Sequence, residues 1–312
     1  MKAPVSSLVS VAILTWNRKS HVLKAIQSVV QQSYPNVEIV VVDSASTDGT
    51  ADAVRAAFPS VTIIRLPRNL GCPEGRNVAL ANCLGEYIFA LDDDGWIPST
   101  TLATIVDRFE SHPEAGVVAC RILAPEESAD CHDQDLLHYT FSGGASAIRR
   151  AALERVGYYP SDYFRQGEET DLALRLYDAG YVVLRCPEAI MYHEASPINR
   201  NQKLFWFYSS RNELYTVIRR YPWFLIAPGC FQKAISWIGL GLRRGALFHI
   251  CAGIISAGLY LPRLLASRRP VSAETIRRVL AIKWSSPSRK GNPSARPNED
   301  HAPGPQNLTR AA

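Results

Sequence analysis

Three consecutive aspartates, Asp92-Asp93-Asp94, follow an apolar run at 87–91 that is typical of a buried strand. Adjacent carboxylates repel one another, so the run costs stability unless a cation or a donor-rich loop compensates. Mg²⁺ and Mn²⁺ prefer carboxylate oxygens and keep coordination positions for phosphate. Side chains two apart on an extended chain share a face, which makes Asp92 and Asp94 the candidate ligands and turns Asp93 away. A solvated acidic turn before Gly95 is the alternative.

A second acidic cluster, Glu168-Glu169-Thr170-Asp171, begins a predicted helix at 168–179. Carboxylates in the first turn of a helix are stabilised by its dipole, so capping explains one or two of them. Transfer to a hydroxyl needs a general base near the acceptor oxygen, and neighbouring carboxylates raise a carboxyl pKa toward that task. Both capping and catalysis by Glu168, Glu169 or Asp171 stay open at this stage.

Other candidates are single side chains. His193 is either a structural histidine or the third ligand of a carboxylate-bound metal. The segment from Asp43 to Thr50, which includes Ser46 and Asp48, is either a turn with a helix cap or a pocket for a base and ribose. Arg76, between Gly75 and Asn77, suits phosphate or base binding. Neither GxGxxG nor GxxxxGK[ST] occurs, which argues against a dinucleotide fold and a P-loop.

The elements that position these residues alternate between strands and helices. This order predicts an open, largely parallel α/β sheet, in which ligands bind at the carboxyl ends of strands. Asn17, Asp43 and the acidic run all lie at such ends. Strands are predicted at 8–14, 37–42, 61–66, 87–91, 117–122, 141–148 and 181–184, with 189–192 extended; helices are predicted from a Ser20 cap and at 50–57, 76–84, 98–111, 150–156 and 168–179, and 123–139 as a surface insertion.

Charge divides the chain of 312 residues into unlike parts. Residues 1–199 carry 16 lysines and arginines against 25 acidic residues, whereas residues 200–290 carry 16 against two. Apolar stretches at 221–242 and 246–265 lie in the basic part, broken by prolines and bordered by arginines. They suit helices in the headgroup region of an anionic membrane, with a buried helical subdomain as the alternative. Nucleic acid is disfavoured because the basic residues accompany large apolar runs.

The predicted division is therefore 1–199 catalytic, 200–283 helical and 284–312 a disordered tail rich in Ser, Pro, Asn and charge. Seven cysteines without regular spacing argue against a disulfide framework and favour a reducing compartment. The apolar run after Lys2 is too short for a signal-peptide core, so we expect the front part to stay in the cytoplasm.

Together these residues resemble the family 2 glycosyltransferases, inverting enzymes of the Rossmann-like GT-A fold. The resemblance runs from about Val9 to His193 and, more weakly, to about Leu265. It rests on ordered elements: Ala12-Ile13-Leu14-Thr15-Trp16-Asn17, the segment from Val41 to Thr50, Asn69-Leu70-Gly71 with Gly75-Arg76-Asn77, Leu91-Asp92-Asp93-Asp94, Phe141-Ser142-Gly143-Gly144-Ala145, Gly167-Glu168-Glu169-Thr170-Asp171-Leu172 and His193.

The resemblance implies roles for particular residues. Asp92 and Asp94 match the DxD motif that holds Mn²⁺ or Mg²⁺, with His193 near the metal and diphosphate. Glu169 stands at the position of the general base, with Glu168 and Asp171 in the same acidic cluster. The resemblance also implies a set of residues that bind the nucleotide-sugar: Thr15, Asn17, Asp43, Ser46, Asp48, Arg76, Asp92, Asp93 and Gly144.

The implied activity is transfer of one sugar from a UDP-, dTDP- or GDP-linked donor to a glycan or polyprenyl-linked acceptor. The C-terminal part looks most like bacterial rhamnosyltransferase-type enzymes, peripheral at the cytoplasmic face of the inner membrane. Gln202-Lys203-Leu204-Phe205-Trp206 lacks the arginine of the QxxRW motif of processive synthases, which favours single transfer. Two other functions stay open: an inactive nucleotide-sugar or lipid-binding scaffold of the same fold, and a nucleotidyltransferase.

Overall fold

A computed structural model describes residues 6–128, 136–194 and 201–285 and contains one nine-stranded mixed sheet flanked by helices. The predicted α/β architecture is thereby confirmed. Apolar residues of the central strands are almost wholly buried, as expected of strands covered on both faces. The strands are β1 Val9–Thr15, β2 Val37–Asp43, β3 Thr62–Arg65, β4 Tyr87–Asp92, β5 Gly95–Trp96, β6 Ala115–Leu123, β7 Leu136–Leu137, β8 Ala145–Arg149 and β9 Val182–His193.

The sheet order is β3-β2-β1-β4-β8-β6-β9-β5, with β7 paired to β9. Strands β3, β2, β1 and β4 are parallel, and β8 is antiparallel to both of its neighbours. The carboxyl ends of β1, β2 and β4 therefore meet at one edge, where Thr15 pairs with Asp43 and the adjacent Leu14 pairs with Asp92. Six helices belong to this α/β unit: α1 Lys19–Val30, α2 Thr50–Ala57, α3 Cys72–Ala81, α4 Thr101–Ser111, α5 Arg150–Val156 and α6 Glu168–Asp178.

Several predicted boundaries are wrong, and each shift has a local cause. Helix α1 begins at Lys19, whose N–H donates to Asp48, so Ser20 lies inside the helix instead of capping it. Helix α3 begins four residues before Arg76, with a proline in its first turn. The predicted strand at 141–148 is extended only from Ala145, and the two extended segments after Tyr181 form one bulged strand, β9.

Five helices follow the α/β unit: α7 Gln202–Arg220, α8 Trp223–Arg244, α9 Leu247–Leu259, α10 Leu261–Ala266 and α11 Ala273–Ser285. Helix α7 is tied to the α/β unit by buried ion pairs, and α11 contributes Ile276 and Val279 to the main core. The predicted tail begins at Trp284, but α11 extends to Ser285, and 286–312 lie outside the described residues. The six cysteines within the described residues all carry free thiols.

Helices α8 and α9 expose much of their apolar surface. Helix α8 is the one helix among the described residues that is long and apolar enough to cross a membrane, judged by length and composition only. The large side chains that face solvent on this pair are Trp223, Phe224, Phe231, Ile235, Leu242, Phe248, Ile255 and Leu259. The alternative of a buried helical subdomain is therefore wrong for these two helices.

Candidate active site

The acidic run occupies the tight turn between β4 and β5. Strand β5 is only two residues long, but its antiparallel pairing with β9 sets Gly95 opposite His193. Asp94 Oδ1 consequently lies 3.0 Å from His193 Nε2, and the Glu194 N–H donates to the Asp94 carbonyl. One ligand atom each from Asp92, Asp94 and His193 lie within 4.8 Å of one another. Two hard carboxylates and an imidazole in this arrangement fit a Mn²⁺ or Mg²⁺ ion.

Two arginines offset the repulsion within the acidic run. Arg76 Nη2 lies 2.7 Å from Asp92 Oδ1, while Arg18 Nη1 lies 2.8 Å from Asp93 Oδ1 and 2.9 Å from Asp94 Oδ2. Asp93 also accepts a hydrogen bond from Thr15 Oγ1 at 2.8 Å. Burial raises the pKa of Asp93 to about 6, although Arg18 opposes the shift. Asp93 thus points away from the group of three ligands and anchors the turn to β1.

Glu168 and Glu169 face the same cleft from the start of α6. Their carboxylates lie 3.7 and 3.6 Å from Arg76 Nη1, and Glu169 also accepts from the Gly143 N–H at 3.3 Å. Burial, and then the charge of Glu169, raise the pKa of Glu168 to about 8; burial also raises the pKa of Glu169. The residue before α6 is Gly167, which has no side chain to cap the helix, and Glu168 and Glu169 both lie in the first turn.

Asp171 does not reach this cleft. Its side chain is fully buried between Arg175 Nε at 2.9 Å and Arg220 Nε at 2.6 Å. Burial would raise the pKa of Asp171, but the two arginines hold it below its usual value. The expectation of a catalytic Asp171 is therefore corrected: this carboxylate joins α6 to α7.

Two glycines allow close approach between the candidate metal ligands (Asp92, Asp94 and His193) and the glutamate pair (Glu168 and Glu169). A Cβ on Gly144 would stand 1.9 Å from the Asp92 carboxyl carbon. A Cβ on Gly143 would stand 2.3 Å from Arg76 Nη1 and 2.7 Å from Glu169 Oε1. The Gly144 carbonyl also accepts from the Asp92 N–H at 2.9 Å. Gly144 therefore acts by leaving room for Asp92.

At the end of β2, Asp43 has one satisfied and one unsatisfied carboxylate oxygen. Its Oδ1 accepts from the Ser46 N–H at 3.1 Å, but its buried Oδ2 has no hydrogen-bond partner among the described residues. Arg65 Nε is 3.6 Å from that oxygen, beyond hydrogen-bond reach. A buried carboxylate oxygen without a donor is costly and suits a ligand N–H.

The neighbouring polar residues hold loops together. Asn17, at φ 52°, accepts from the Thr47 N–H at 2.8 Å, and the Asn17 N–H donates to Ser46 Oγ at 2.8 Å. Asp48 accepts from the backbone N–H groups of Lys19 and Thr50. These contacts fix the loop that follows β1 against the loop that follows β2. A small cavity of about 160 Å³ beside them is lined by Ser46, Thr47, Gly49, Thr50, Ala51, Asp52 and Arg65.

A larger cleft of about 510 Å³ brings most of the predicted residues together, although Asn17, Asp43, Ser46, Asp48 and Asp171 do not line it. Three parts of the wall of this cleft were not predicted from the sequence: Arg18, the loop at 164–166 and the first turn of α7. Arg18 directly follows the strand-end residues Trp16-Asn17, and that position was an available signal. The predicted residues that line the cleft are Thr15, Arg76, Asp92, Asp93, Asp94, Gly144, Glu168, Glu169 and His193.

The chain is similar to known glycosyltransferases in sequence and in fold. The family model described as glycosyl transferase family 2 matches residues 10–165. A putative colanic acid biosynthesis glycosyl transferase of Escherichia coli is 38% identical over 96 residues, covering 30% of this chain and 34% of that protein. An E. coli UDP-Glc:alpha-D-GlcNAc-diphosphoundecaprenol beta-1,3-glucosyltransferase is 33% identical over 106 residues, covering 33% of this chain and 42% of that one. The match thus spans less than half the length of either relative.

Among solved structures, a mannosyltransferase from Pyrobaculum calidifontis, in complex with GDP-Man and Mn²⁺, superposes with a TM-score of 0.55. The alignment covers 92% of this chain and 84% of that one at 23% identity. At this identity the likeness establishes a shared fold.

Proposed function

This chain belongs to glycosyl transferase family 2, and we propose that it moves one sugar, with inversion, from a nucleotide-sugar to a hydroxyl of a lipid-linked or polysaccharide acceptor. Cell-surface glycan assembly is the setting that its relatives suggest. One observation carries the proposal: the Asp92, Asp94 and His193 group and the Glu168-Glu169 pair line one cleft and are bridged by Arg76. The resemblance to rhamnosyltransferase-type enzymes stays a prediction.

On the donor side, Asp92, Asp94 and His193 would hold Mn²⁺ or Mg²⁺. A bound divalent ion supplies neutralisation of the nucleoside diphosphate as it departs. Arg18 and Thr15 keep Asp93, and with it the turn, in place. The Asp43 side chain is fully buried, so an N–H of the base would reach its unsatisfied Oδ2 only after the residues that cover it move. The bases of UDP-, dTDP- and GDP-sugars all carry an N–H that can donate a hydrogen bond to this carboxylate oxygen.

On the acceptor side, Glu169 is the proposed general base and Glu168 its alternative. The Glu169 side chain is 18% exposed and can reach an acceptor hydroxyl, whereas that of Glu168 is 2% exposed. With a pKa of about 8, Glu168 keeps its proton at neutral pH. Arg76 favours the ionised form of Glu169. Glu169 is thus the carboxylate better suited to take the hydroxyl proton.

The test incubates purified chain with UDP-, GDP- and dTDP-sugars in Mn²⁺, Mg²⁺ or EDTA and measures release of nucleoside diphosphate. We expect release from at least one donor, dependent on metal and lost in Asp94→Ala, with Asp52→Asn as the exposed control. Glu169→Gln should lower transfer about 10²- to 10⁴-fold. Pyrophosphate as product would select a nucleotidyltransferase, and binding without turnover would select a scaffold. Full activity in EDTA would contradict the metal site.

We also propose that α8 and α9 rest on an anionic membrane surface, at the cytoplasmic face of a bacterial inner membrane. Exposed arginines border the exposed apolar side chains of these helices: Arg243, Arg244, Arg263 and Arg269. Apolar side chains in the interface with cations beside anionic headgroups form the pattern of peripheral helices. Pro228 inside α8 is compatible with such a position.

A further inference from the structure

The loop between the 3-10 helix Ser161–Tyr163 and α6 has an unusual backbone. Phe164 and Gln166 have φ values of 64° and 68°, in the left-handed region that non-glycine residues rarely adopt. Such conformations are strained for residues other than glycine and persist only where surrounding contacts enforce them. The loop is therefore held in place by the rest of the protein.

A single buried side chain of α7 provides much of that constraint. Asn212 Nδ2 lies 3.0, 2.7 and 2.7 Å from the carbonyl oxygens of Tyr163, Arg165 and Gln166. The Phe164 carbonyl accepts from the Cys72 N–H at 2.7 Å. With these four carbonyls turned inward, the side chains of residues 164–166 line the cleft.

This wall combines one cation, Arg165, with amide side chains, including those of Gln166 and Gln202, and with apolar groups. Within the described residues, the Arg165 guanidinium has no carboxylate partner, unlike Arg18 and Arg76, which line the same cleft. Phe164 stacks on Tyr208 at 5.4 Å between ring centroids and is still partly exposed. Leu204, in the first turn of α7, is also exposed and lines the same wall. An arginine in such surroundings suits a phosphate attached to an apolar chain.

Helix α7, which carries Leu204, also packs against α8 and α9. Two residues after Leu204, Trp206 packs edge-on against the buried Trp237 of α8, with ring centroids 6.3 Å apart. Gly253 of α9 approaches α7 so closely that a Cβ there would stand 2.4 Å from the Phe207 carbonyl oxygen. The apolar surface and the cleft are thus joined by one helix, α7.

We propose that the loop at 164–166 and the first turn of α7 bind the acceptor, a sugar linked through phosphate to a prenyl chain. Arg165 contacts the phosphate, and Phe164 and Leu204 contact the first isoprene units. The assignment rests on the proposed function and names the acceptor class of that cleft. The donor diphosphate and the acceptor phosphate then contact different cationic groups of the cleft.

The experiment measures calorimetric binding of farnesyl diphosphate to the full chain in EDTA, so that the metal-ligand group cannot take the diphosphate through an ion. We expect Arg165→Gln to weaken binding about tenfold to a hundredfold, because a hydrogen bond between charged groups is lost. Arg55→Gln, which removes an exposed arginine paired with Asp52, is the matched control and should change nothing. Leu204→Asn, which removes apolar contact without adding charge, should weaken farnesyl diphosphate binding and leave inorganic diphosphate unaffected.

Three comparison ligands decide the chemistry. Inorganic diphosphate, farnesol and dihexanoyl phosphatidic acid should each bind more weakly than farnesyl diphosphate. Equal binding of inorganic diphosphate would overturn the prenyl part, equal binding of farnesol the phosphate part, and equal binding of the phospholipid the choice of a prenyl acceptor. Unchanged affinity in Arg165→Gln would overturn the site itself. Because no donor is present, this result is independent of whether any nucleotide-sugar is turned over.

Discussion

The α/β unit and the α8–α9 pair depart from ordinary globular packing in opposite directions. In the α/β unit, charged side chains that usually face water are buried: Glu168, Asp93, Asp94 and Asp171. In the α8–α9 pair, Phe248 and Leu259 are 79% and 77% exposed. Buried charges and extended exposed apolar surface are the informative exceptions in a folded protein. In the proposed function, Asp94 serves a charged ligand, whereas Asp171 pairs with two arginines inside the fold. The exposed apolar side chains of α8 and α9 are proposed to contact a membrane.

The largest effect on activity is expected from a substitution at Gly144. Gly144→Ala should displace the Asp92 carboxyl, and a misplacement of about 1 Å can cost about 10²-fold in rate. Metal-dependent release of nucleoside diphosphate measures the loss, with circular dichroism to confirm folding. Gly239→Ala on α8, where an added Cβ meets nothing within 4 Å, is the control. Equal activity of the two variants would mean that Asp92 has no part in donor binding.

Asp171 separates buried charge that holds the fold from buried charge that does chemistry. Asp171→Asn should lower the free energy of unfolding by about 3 kcal/mol, because Arg175 and Arg220 lose their shared counterion. Urea unfolding measures this effect, and Asp52→Asn should change stability by less than about 1 kcal/mol. Turnover per folded molecule should be retained. Loss of turnover at unchanged stability would return Asp171 to the catalytic group.

Binding of the exposed apolar surface of α8 and α9 to a membrane is tested with anionic vesicles. The double variant Phe248→Asp with Leu259→Asp should weaken co-sedimentation about tenfold or more, since each change removes apolar contact and adds repulsion. Leu84→Asp, at a residue 69% exposed on the α/β unit, should leave it unchanged. High salt should weaken binding of the wild-type chain. Equal sedimentation of all three proteins would remove α8–α9 from the membrane.

The smallest effect concerns the pH dependence of stability. The pKa of Glu168 is raised to about 8 from 4.5, so the folded chain holds a proton that the unfolded chain releases. The contribution of Glu168 to stability is then fully present below pH 4.5 and is lost as pH rises from about 4.5 to 8. Glu168→Gln should flatten this decline by about 1–2 kcal/mol in metal-free urea titrations at pH 5 and 8. Parallel slopes for the variant and wild type would contradict the burial of a protonated Glu168.

Local sequence predicted much of the fold and the site. Apolar runs located β1, β2 and β4, and the strand-end rule brought Asp92 and Asp94 to one edge of the sheet. The two-residue strand β5 was missed because its pairing with His193, about a hundred residues away, leaves no local pattern. Asp171 was misassigned because its partner Arg220 lies on α7.

The loop at 164–166 could not be predicted from its own residues. Left-handed conformations usually coincide with glycine, but here they fall on Phe164 and Gln166. The force that selects them comes from Asn212, more than forty residues later in the chain. Tertiary contacts therefore override local preference at this position.

The amide of Asn212 has a consequence for modularity. A gene cut after residue 199 would retain the family's sequence motifs yet lose the group that shapes one wall of the cleft. Chimaeras that exchange acceptor preference between relatives should then succeed only when the loop and α7 are transferred together. The α/β unit and α7 therefore depend on each other for the shape of the cleft, although their compositions suggest separate parts.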